Sequence, residues 1–591
     1  MKARNFLLLF TCVSMTSFAA NETFTIANLG VVLPNEAHTR VISGDYNNDG
    51  NMDLFYLSPW DGHLWSNWSA LFFKGKGDGT LTADATQPSM EFYYGDAVFM
   101  DINNDGNLDL VVTGQERNTA TVKTQVYLNS GAPGYLFVLS ASLSSSLTGV
   151  WGADGVYGRG LLFPVDYDND GWTDLLICGF DASGAAVTNL YKNNGGTFSL
   201  VDAGFDKIGG GSASWGDFNN DGFMDLVMSG MGSTSGTPQT LLYQNNGNGT
   251  FSKAPLALPG TATGESGGMT FFADMNSDGY LDIVDSGMHW PFGALYINQG
   301  AGAFSYIADS GLIGENSMSA AYGDINYSGF NSIAATGWMS NNGAQEGMFF
   351  YNSGNNTFSI TNFQAGLAVK NASALLVDLN NDGALDIVTV GDHAGGIGLN
   401  NKTQGTNAAP SMPSGLAVQQ NGNQYTLTWN KSTDDKTPQN AIRYNIYAKS
   451  SDGKVFSFVP ANIATGNIKV AGIVPYITAT SHTLTLPAGS YEFGVQAVDQ
   501  AFMSSAFSKV GGTGIETQAI DAVDVIAANG ELVINNNTSA AVAFEIVAPN
   551  GQILQKGNCA ALSSGKYPVA QGVYLVKVTG ANASVVKKLI F

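Results

Sequence analysis

The sequence predicts an all-β protein: a seven-bladed β-propeller followed by two small β-sandwich domains. One acidic loop pattern occurs seven times, beginning at Asp45, Asp101, Asp166, Asp217, Asp274, Asp324 and Asp378. The intervals of 56, 65, 51, 57, 50 and 54 residues are typical of an array of supersecondary units. The chain has 73 Gly among 591 residues, and only 12% of its residues are charged. Short apolar runs alternate with Gly- and Asn-rich turns, and this pattern indicates many short strands.

Residues 1–20 have the features of a secretory signal peptide. Lys2 and Arg4 precede an apolar run at 6–10, and small residues suit cleavage after Ala19 or Ala20. No later apolar run reaches the length of a membrane span, so we expect none in the mature chain. A net charge of −23 argues against nucleic acid as a partner. We therefore expect a protein that is secreted or displayed on the cell surface.

Each repeat follows one plan, which residues 212–254 illustrate. Residues 212–216, 226–228, 241–243 and 250–252 predict four short strands, and the acidic loop 217–225 joins the first two. Four such strands in each of seven repeats are typical of propeller blades.

The last repeat lacks a fourth strand, because its pattern stops at Asn401. Residues 21–28 (Asn-Glu-Thr-Phe-Thr-Ile-Ala-Asn) match residues 355–362 (Asn-Asn-Thr-Phe-Ser-Ile-Thr-Asn), which open the fourth strand of the preceding repeat. We predict that the N-terminal segment completes the last blade, so that the ring has no exposed sheet edge. The propeller is accordingly assigned to residues 21–401.

A linker at 402–411 precedes a predicted sandwich at 412–512. The strand 425–429 alternates polar and apolar residues and ends in Trp429, and a later strand begins at Tyr491. This segment resembles a fibronectin type III domain, in which a buried Trp and a late-strand Tyr are expected.

Residues 516–591 predict a second small β unit. A Gly-Val-Tyr-Leu-Val-Lys-Val strand at 572–578 and the ending Lys-Lys-Leu-Ile-Phe at 587–591 are its landmarks. The segment resembles the C-terminal sorting domain of the type IX secretion system of Bacteroidetes. That resemblance implies export across the outer membrane, with the type IX secretion machinery as a partner. An ordinary small sandwich is the alternative.

The acidic loops follow the pattern Asp-x-(Asn/Asp)-x-Asp-Gly-x-x-Asp, and alternate side-chain oxygens around a tight Gly turn suit Ca²⁺. An EF-hand does not fit, because Tyr56 stands at position twelve of the first loop, where an EF-hand has Glu. The β-type run 54–57 that follows shows that the loop joins two strands.

A strand–loop–strand arrangement of this kind resembles the FG-GAP/VCBS repeats of integrin α-subunit propellers. The resemblance implies side-chain ligands at positions 1, 3, 5 and 9 and a backbone carbonyl at position 7. It predicts about six structural Ca²⁺ sites, with these ligands: Asp45, Asn47, Asp49, Asn51 and Asp53; Asp101, Asn103, Asp105, Asn107 and Asp109; Asp166, Asp168, Asp170, Trp172 and Asp174; Asp217, Asn219, Asp221, Phe223 and Asp225; Asp274, Asn276, Asp278, Tyr280 and Asp282; Asp378, Asn380, Asp382, Ala384 and Asp386.

Two of the seven loops differ from the others in their number of carboxylates. The third loop has four carboxylates, and we expect it to bind Ca²⁺ most tightly. In the sixth loop, Asp324, Asn326, Ser328 and Ser332 leave a single carboxylate, and we expect that loop to hold no ion.

Aromatic residues point to a ligand-binding end of the ring. By strand parity, the connections after each second strand emerge opposite the acidic loops, and several are long and aromatic. The predicted ligand-binding residues there are Trp60, His63, Trp65, Trp68, Trp151, Trp290 and Trp338. Grouped aromatics suggest a glycan or protein ligand; packing of the loops on one another is the alternative. Trp215 precedes an acidic loop in an inner strand, and we expect it in the core.

Three glutamates share one position in their repeats. Glu36, Glu265 and Glu315 each stand nine residues before the first Asp of a loop. We predict a partial ring of carboxylates near the axis that contributes to ligand binding, the alternative being exposed turn residues.

The sequence favours a non-catalytic binding or adhesion module for an extracellular glycan or protein. It contains no metalloprotease spacing of its five His residues and no nucleophile-elbow pattern, so no catalytic residue is predicted. A carbohydrate-active enzyme, for example a propeller polysaccharide lyase, is the alternative, since fold does not decide function.

Overall fold

The computed structural model describes most of the chain. The described residues are 22–28, 31, 33, 39–57, 71–116, 119–152, 161–232, 238–256, 268–286, 293–300, 302–308, 310–313, 316–338, 345–392, 394–471, 477–487, 489–512, 523–528, 531–536, 540–548, 552–568, 573–579 and 584–590. Nearly all regular structure among them is β-strand, as the sequence predicts.

Seven four-stranded antiparallel sheets lie in the described part of residues 22–400. Their strands are β1 (Phe24–Ile26), β2 (Arg40–Gly44), β3 (Asp53–Leu57), β4 (Leu71–Gly75), β5 (Leu81–Ala83), β6 (Phe92–Met100), β7 (Asp109–Glu116), β8 (Val122–Asn129), β9 (Phe137–Leu139), β10 (Leu162–Val165), β11 (Asp174–Phe180), β12 (Ala186–Asn193), β13 (Phe198–Val201), β14 (Ile208–Gly216), β15 (Asp225–Gly232), β16 (Pro238–Asn245), β17 (Phe251–Ala254), β18 (Met269–Ala273), β19 (Asp282–Ser286), β20 (Ala294–Asn298), β21 (Phe304–Ile307), β22 (Asn316–Gly323), β23 (Ser332–Trp338), β24 (Gln345–Asn352), β25 (Phe358–Asn362), β26 (Lys370–Val377), β27 (Asp386–Asp392) and β28 (Ala394–Asn400). A one-turn helix, α1 (Ala141–Ser144), follows β9.

Six of these sheets are meanders of four consecutive strands, and the seventh has the order β1-β28-β27-β26; the central strands are largely buried on both faces. In the fourth sheet, β14 to β17, all nine residues of β14 are buried, and Leu226, Val227 and Met228 of β15 are fully covered. Successive side chains of a strand point to opposite faces, so covering both faces requires a sheet on each side. The repeated sheets therefore pack face to face, as propeller blades do.

The first strands of successive sheets contact one another in a closed cycle. β2 contacts β6, β6 contacts β10, and the contacts continue through β14, β18, β22 and β26, which in turn contacts β2. These strands surround an axial cavity of about 190 Å³. Trp215 is buried as expected, and it lines this cavity as well as the core.

The N-terminal strand completes the last sheet, as the sequence predicts. β1 pairs antiparallel with β28, with Phe24 opposite Asn400 and Ile26 opposite Gly398. Phe24 is buried and stacks on Phe349 of the preceding sheet at a ring-centroid distance of 4.9 Å.

The described part of residues 414–512 forms two further antiparallel sheets, with orders β29-β30-β33 and β32-β31-β34-β35. Their strands are β29 (Ser414–Asn421), β30 (Gln424–Asn430), β31 (Arg443–Ser450), β32 (Val455–Ser457), β33 (Ser481–Thr485), β34 (Tyr491–Val498) and β35 (Ser508–Gly512), with a 3₁₀ turn at Gln439–Ala441. Trp429 is buried, and the Tyr491 hydroxyl donates to the Pro487 carbonyl oxygen at 2.7 Å. We call this unit the sandwich; its resemblance to fibronectin type III stays a prediction.

The sandwich covers the end of the ring that carries the acidic loops. The backbone N–H of Asp45 donates to the Lys469 carbonyl oxygen at 2.8 Å, and the N–H of Asp324 donates to that of Gln500 at 2.8 Å. Sandwich residues also hydrogen-bond the second, third, fourth and fifth loops, at Asn104, Asn169, Asn220 and Gly279. Six of the seven loops are therefore tied to the sandwich.

The C-terminal segment forms two more sheets, with orders β36-β37-β40 and β39-β38-β41-β42. Their strands are β36 (Val523–Ala528), β37 (Glu531–Asn536), β38 (Val542–Val547), β39 (Ile553–Cys559), β40 (Ser563–Pro568), β41 (Val573–Thr579) and β42 (Ser584–Ile590). Leu532, Ile534, Phe544 and Val576 form its core. Within the described residues, no helix is long and apolar enough to cross a membrane.

Candidate functional site

Each acidic loop joins the first and second strands of a sheet and wraps around its first carboxylate. In the first loop, Asp45 accepts hydrogen bonds from the N–H groups of Asp49 and Gly50, both at 3.0 Å. The equivalent Asp of every other loop accepts the same pair, including Asp324 of the sixth loop. The tight wrap needs a left-handed backbone at position six, where Gly50 has φ +88°.

The ninth residue links the loop to the sheet. Asp53 accepts from the Tyr46 N–H at 3.1 Å with one oxygen and from the Gly75 N–H at 2.9 Å with the other. Asp109, Asp174, Asp225, Asp282 and Asp386 make the equivalent two bonds. A carboxylate has about four lone-pair sites, so these bonds leave room for a cation.

Positions three and five form a pair. The Asn47 amide donates to Asp49 Oδ2 at 3.1 Å, while its carbonyl oxygen accepts the Asp49 N–H at 3.0 Å. The fourth, fifth and seventh loops repeat both bonds, with Asn219, Asn276 and Asn380 as the amides. In the second loop, Asn103 accepts from Asp105 in the same way.

The third loop replaces this amide by a lysine from another strand. Its position three is Asp168, which cannot donate, and Lys192 of β12 places its ammonium against Asp168 and 2.7 Å from Asp170 Oδ2. Asp168 Oδ1 is buried without a hydrogen-bond partner. Oxygen atoms of Asp166, Asp168 and Asp174 lie within 4.8 Å of one another. A convergent, partly unsatisfied carboxylate set of this kind fits a cation.

Burial raises the pKa values of the carboxylates at positions one and nine of the loops. Desolvation is the largest cause, and it raises the pKa of Asp53, Asp109 and Asp225 to about 8 and that of Asp101 to about 7. Neighbouring carboxylates of the same loop add to the shift. Buried carboxylates with raised pKa values bind either a proton or a cation. Because the ligand set is rich in oxygen and has no thiols or imidazoles, the cation it suits is Ca²⁺. The predicted backbone ligands at position seven, Asn51, Asn107, Trp172, Phe223, Tyr280 and Ala384, stay predictions.

Two sets of residues that join the loops to one another were not predicted. Position four has a left-handed backbone and bonds the next loop: Asn48 donates to Asn107 Oδ1 at 2.8 Å, and Asn169 donates to the Gly222 carbonyl oxygen at 2.8 Å. In every sheet but the first, the third strand ends in an Asn that donates to the preceding repeat, as Asn129 does to the Tyr46 carbonyl oxygen at 2.9 Å. In four of these strands the Asn follows Tyr-x in the sequence, and that recurrence was the available signal: Asn129, Asn193, Asn245 and Asn298.

Most of the predicted ligand-binding residues lie outside the described residues. These are Trp60, His63, Trp65, Trp68, Trp290, Glu36, Glu265 and Glu315. Trp338 is the last residue of β23. Trp151 is half-buried, packs edge-on against Tyr94 at 6.0 Å, and donates from Nε1 to the Asp181 carbonyl oxygen at 3.3 Å. Trp151 thus takes part in loop packing.

The axial cavity ends against the sandwich. Phe458, Pro460, Val470 and Ala471 of the sandwich line it together with the first strands of the sheets. Arg40 is the single charged side chain among its described lining residues, and Arg40 is paired with Asp96 at 2.6 Å. Those described lining residues include no Tyr, His or Lys.

Three stretches of the chain, 45–112, 166–228 and 231–284, match the FG-GAP-like repeat. No curated protein matches the chain in sequence.

Solved structures give weak overall matches. A fungal alcohol oxidase of the AA5 family in complex with copper is 13% identical, with a TM-score of 0.41 over 82% of this chain and 98% of its own. The rhamnogalacturonan lyase YesW is 13% identical, with a TM-score of 0.31 over 72% of this chain and 90% of its own. A two-domain fibronectin type III segment from chicken tenascin is 14% identical, with a TM-score of 0.12 over 31% of this chain and 100% of its own. At these TM-scores the similarities identify no shared activity.

Proposed function

We propose that this protein is a secreted or cell-surface, Ca²⁺-stabilised propeller of seven blades that binds an extracellular glycan or protein without catalysis. The observation that carries the proposal is the position of the sandwich. Because backbone and side-chain groups of the sandwich hydrogen-bond six acidic loops, the loop end of the ring is an internal interface. The opposite end, where the aromatic connections emerge by strand parity, is then the end that meets a ligand.

The axial cavity supports binding over catalysis. A glycan lyase needs a base and an acid near the scissile bond, and Tyr, His or Lys side chains commonly serve. The described cavity lining contains none of these, and its one charged residue, Arg40, is already paired with Asp96.

Calcium has a structural role in this proposal. The loop carboxylates hold their own loop and the neighbouring strand through backbone N–H groups, and a bound ion would relieve the repulsion among them. Lys469 of the sandwich lies near the carboxylates of Asp45 and Asp101. Ion binding at these loops would therefore also affect how the sandwich is held.

The binding proposal is tested with the full mature chain on a glycan array in the presence of Ca²⁺, with product release assayed on every glycan that binds. We expect retained glycan and no released product. Released oligosaccharide would identify the carbohydrate-active enzyme instead.

The binding end is tested with the double variant Trp60→Ala/Trp65→Ala. Removing a stacking aromatic that carries a contact costs about 1–3 kcal/mol, so affinity should fall by about five- to 150-fold with the melting temperature unchanged. Trp151→Ala is the matched control, because Trp151 packs against Tyr94. A loss of stability in the double variant at unchanged affinity would assign these residues to loop packing.

The C-terminal segment is proposed to direct type IX secretion, with the fibronectin type III-like sandwich in front of it. Its strands form a separate core around Phe544 and Val576. Deleting residues 516–591 should retain the protein in the periplasm without changing the stability of the propeller. Normal surface display of the truncated protein would refute the assignment.

A further inference from the structure

Three segments meet at the edge of the sandwich that faces the sixth acidic loop. The linker residue Asn407 donates from Nδ2 to Asp499 Oδ2 at 2.5 Å, and the Ala408 N–H donates to Asp435 Oδ1 at 3.1 Å. The Gln500 N–H donates to Thr437 Oγ1 at 3.1 Å. The linker, the turn 432–437 and the turn 499–503 are thus brought together.

A fully buried carboxylate lies at this junction. Asp499 has 0% exposure, and among the described residues its carboxylate accepts bonds from the Asn407 amide and from the Met503 N–H at 2.8 Å. Burial raises the pKa of Asp499 to about 8 against the lowering effect of the Asn407 bond, and repulsion from Asp434 adds to the shift. Among the described residues, neither Asp499 nor Asp434 forms an ion pair with a basic side chain. The buried carboxylate of Asp499 and the partly buried carboxylate of Asp434 therefore repel each other, and neither has a paired basic side chain among the described residues.

Three oxygen atoms of the same segments are buried without hydrogen-bond partners. Asp434 uses Oδ2 to accept the N–H groups of Lys436 and Thr437, at 2.9 and 2.7 Å, but its Oδ1 has none. The side-chain oxygens of Asn407 and Ser432 are also unpaired, and Ser432 is 1% exposed. Buried acceptors are nearly always satisfied, so a group of orphaned oxygens indicates an ion or a water.

We propose that Asp434, Asp499 and Asn407 bind a Ca²⁺ ion, with Ser432 as a nearby oxygen donor. Two carboxylates balance the charge of a divalent cation, and amide and hydroxyl oxygens are ligands that hard cations accept. An ordered water would satisfy the orphaned acceptors, but only a cation, or a proton on Asp499, would also relieve the repulsion between the two carboxylates.

This ion would stabilise the contact between the sandwich and the ring. Gln500, next to Asp499, accepts the Asp324 N–H of the sixth loop at 2.8 Å. The sixth loop is the one predicted to hold no ion. A cation in the sandwich would therefore lie beside the one acidic loop that is predicted to hold no Ca²⁺.

The site is tested by counting Ca²⁺ per full-length molecule with native mass spectrometry. Asp434→Asn and Asp499→Asn should each lose one ion relative to the unmodified chain. Asp435→Asn is the matched control, since it neighbours the site and uses its carboxylate on Ala408; it should retain every ion.

Asn407→Ala changes a linker residue outside every strand and serves as the variant that keeps the fold. It should weaken the Ca²⁺ affinity of one ion by at least about tenfold. An unchanged ion count in both Asp variants, with unchanged affinities in Asn407→Ala, would overturn the proposal and leave an ordered water at the junction. A raised melting temperature in Asp499→Asn at an unchanged ion count would overturn it as well.

Discussion

The Lys469 ammonium donates to the Gly106 carbonyl oxygen at 2.6 Å, across the interface between the sandwich and the second acidic loop. Lys469 is 8% exposed, and its charge acts favourably on Asp45, Asp101 and Asp105. One side chain thus links the sandwich to two candidate calcium loops, by a hydrogen bond to the second and by its charge to both.

Lys469→Met should destabilise the metal-free protein by about 1–3 kcal/mol, because the variant leaves the Gly106 oxygen and nearby carboxylates uncompensated. The loss should be smaller in saturating Ca²⁺, since bound ions then neutralise those carboxylates. Urea unfolding with and without chelator measures both values, and Lys509→Met, exposed on β35, is the control. Equal losses in both conditions would contradict the electrostatic role of Lys469.

Phe24→Ala should cost about 3–5 kcal/mol of unfolding free energy, because Phe24 is buried against Phe349 where β1 completes the last sheet. Ile26→Ala, on the same strand and 44% exposed, should cost less than about 0.5 kcal/mol.

A truncation that begins near Gly30 should expose the edge of β28 and favour self-association. If the truncated chain stays monomeric and equally stable by sedimentation and urea unfolding, β1 does not close the ring.

The metal-free protein should become less stable as the pH rises from about 4 to 8. The folded pKa values of Asp53, Asp109 and Asp225 are raised to about 8, so the folded state retains protons that the unfolded state has released above its own pKa near 4. The stability that these carboxyl groups contribute is fully present below the unfolded pKa and is lost as the pH rises through the folded pKa values of about 8. Melting temperatures of chelated protein across this range measure the effect. A rising melting temperature would contradict the raised pKa values.

Calcium affinity should follow the opposite trend, because ion binding displaces those protons. Calorimetric titrations in buffers of different ionisation enthalpy should therefore detect proton release near pH 7. Binding without proton release would show that these carboxylates are already ionised in the metal-free protein.

Lys192→Met should destabilise the metal-free protein, because it leaves Asp168 and Asp170 facing each other without the ammonium. The double variant Lys192→Met/Asp168→Asn recreates the amide pair of the other loops and should recover most of the loss. Thermal unfolding in chelator compares the two. No recovery in the double variant would mean that Lys192 does not replace the amide.

The sequence was sufficient for the repeats, the four strands of each sheet and the closing strand, because turn residues and short apolar runs specify them locally. Strand ends were less accurate: β14 begins at Ile208 and not at Ser212, since a register shift between Gly209 and Ser212 extends its pairing with β15. Local patterns do not encode such an irregularity.

Contacts between distant segments could not be predicted. The sandwich contacts the loops largely through backbone atoms, such as the carbonyl oxygens of Lys469 and Gln500. Backbone hydrogen bonds do not depend on the type of side chain, so the sequence does not reveal them. Lys192 reaches the third loop from a strand that begins 12 residues after Asp174, at Ala186. Only the fold brings its ammonium to Asp168 and Asp170, although an extra carboxylate in that loop was visible in the sequence.

The central claim is that Ca²⁺ in the acidic loops stabilises the ring. The most direct measurement is the melting temperature of the full chain in chelator and in Ca²⁺, with bound ions counted in the same samples. About six loop-held ions and a clear rise in melting temperature with Ca²⁺ are expected, and Asp101→Asn should remove one ion. An unchanged melting temperature, or one or two bound ions in all, would contradict the account.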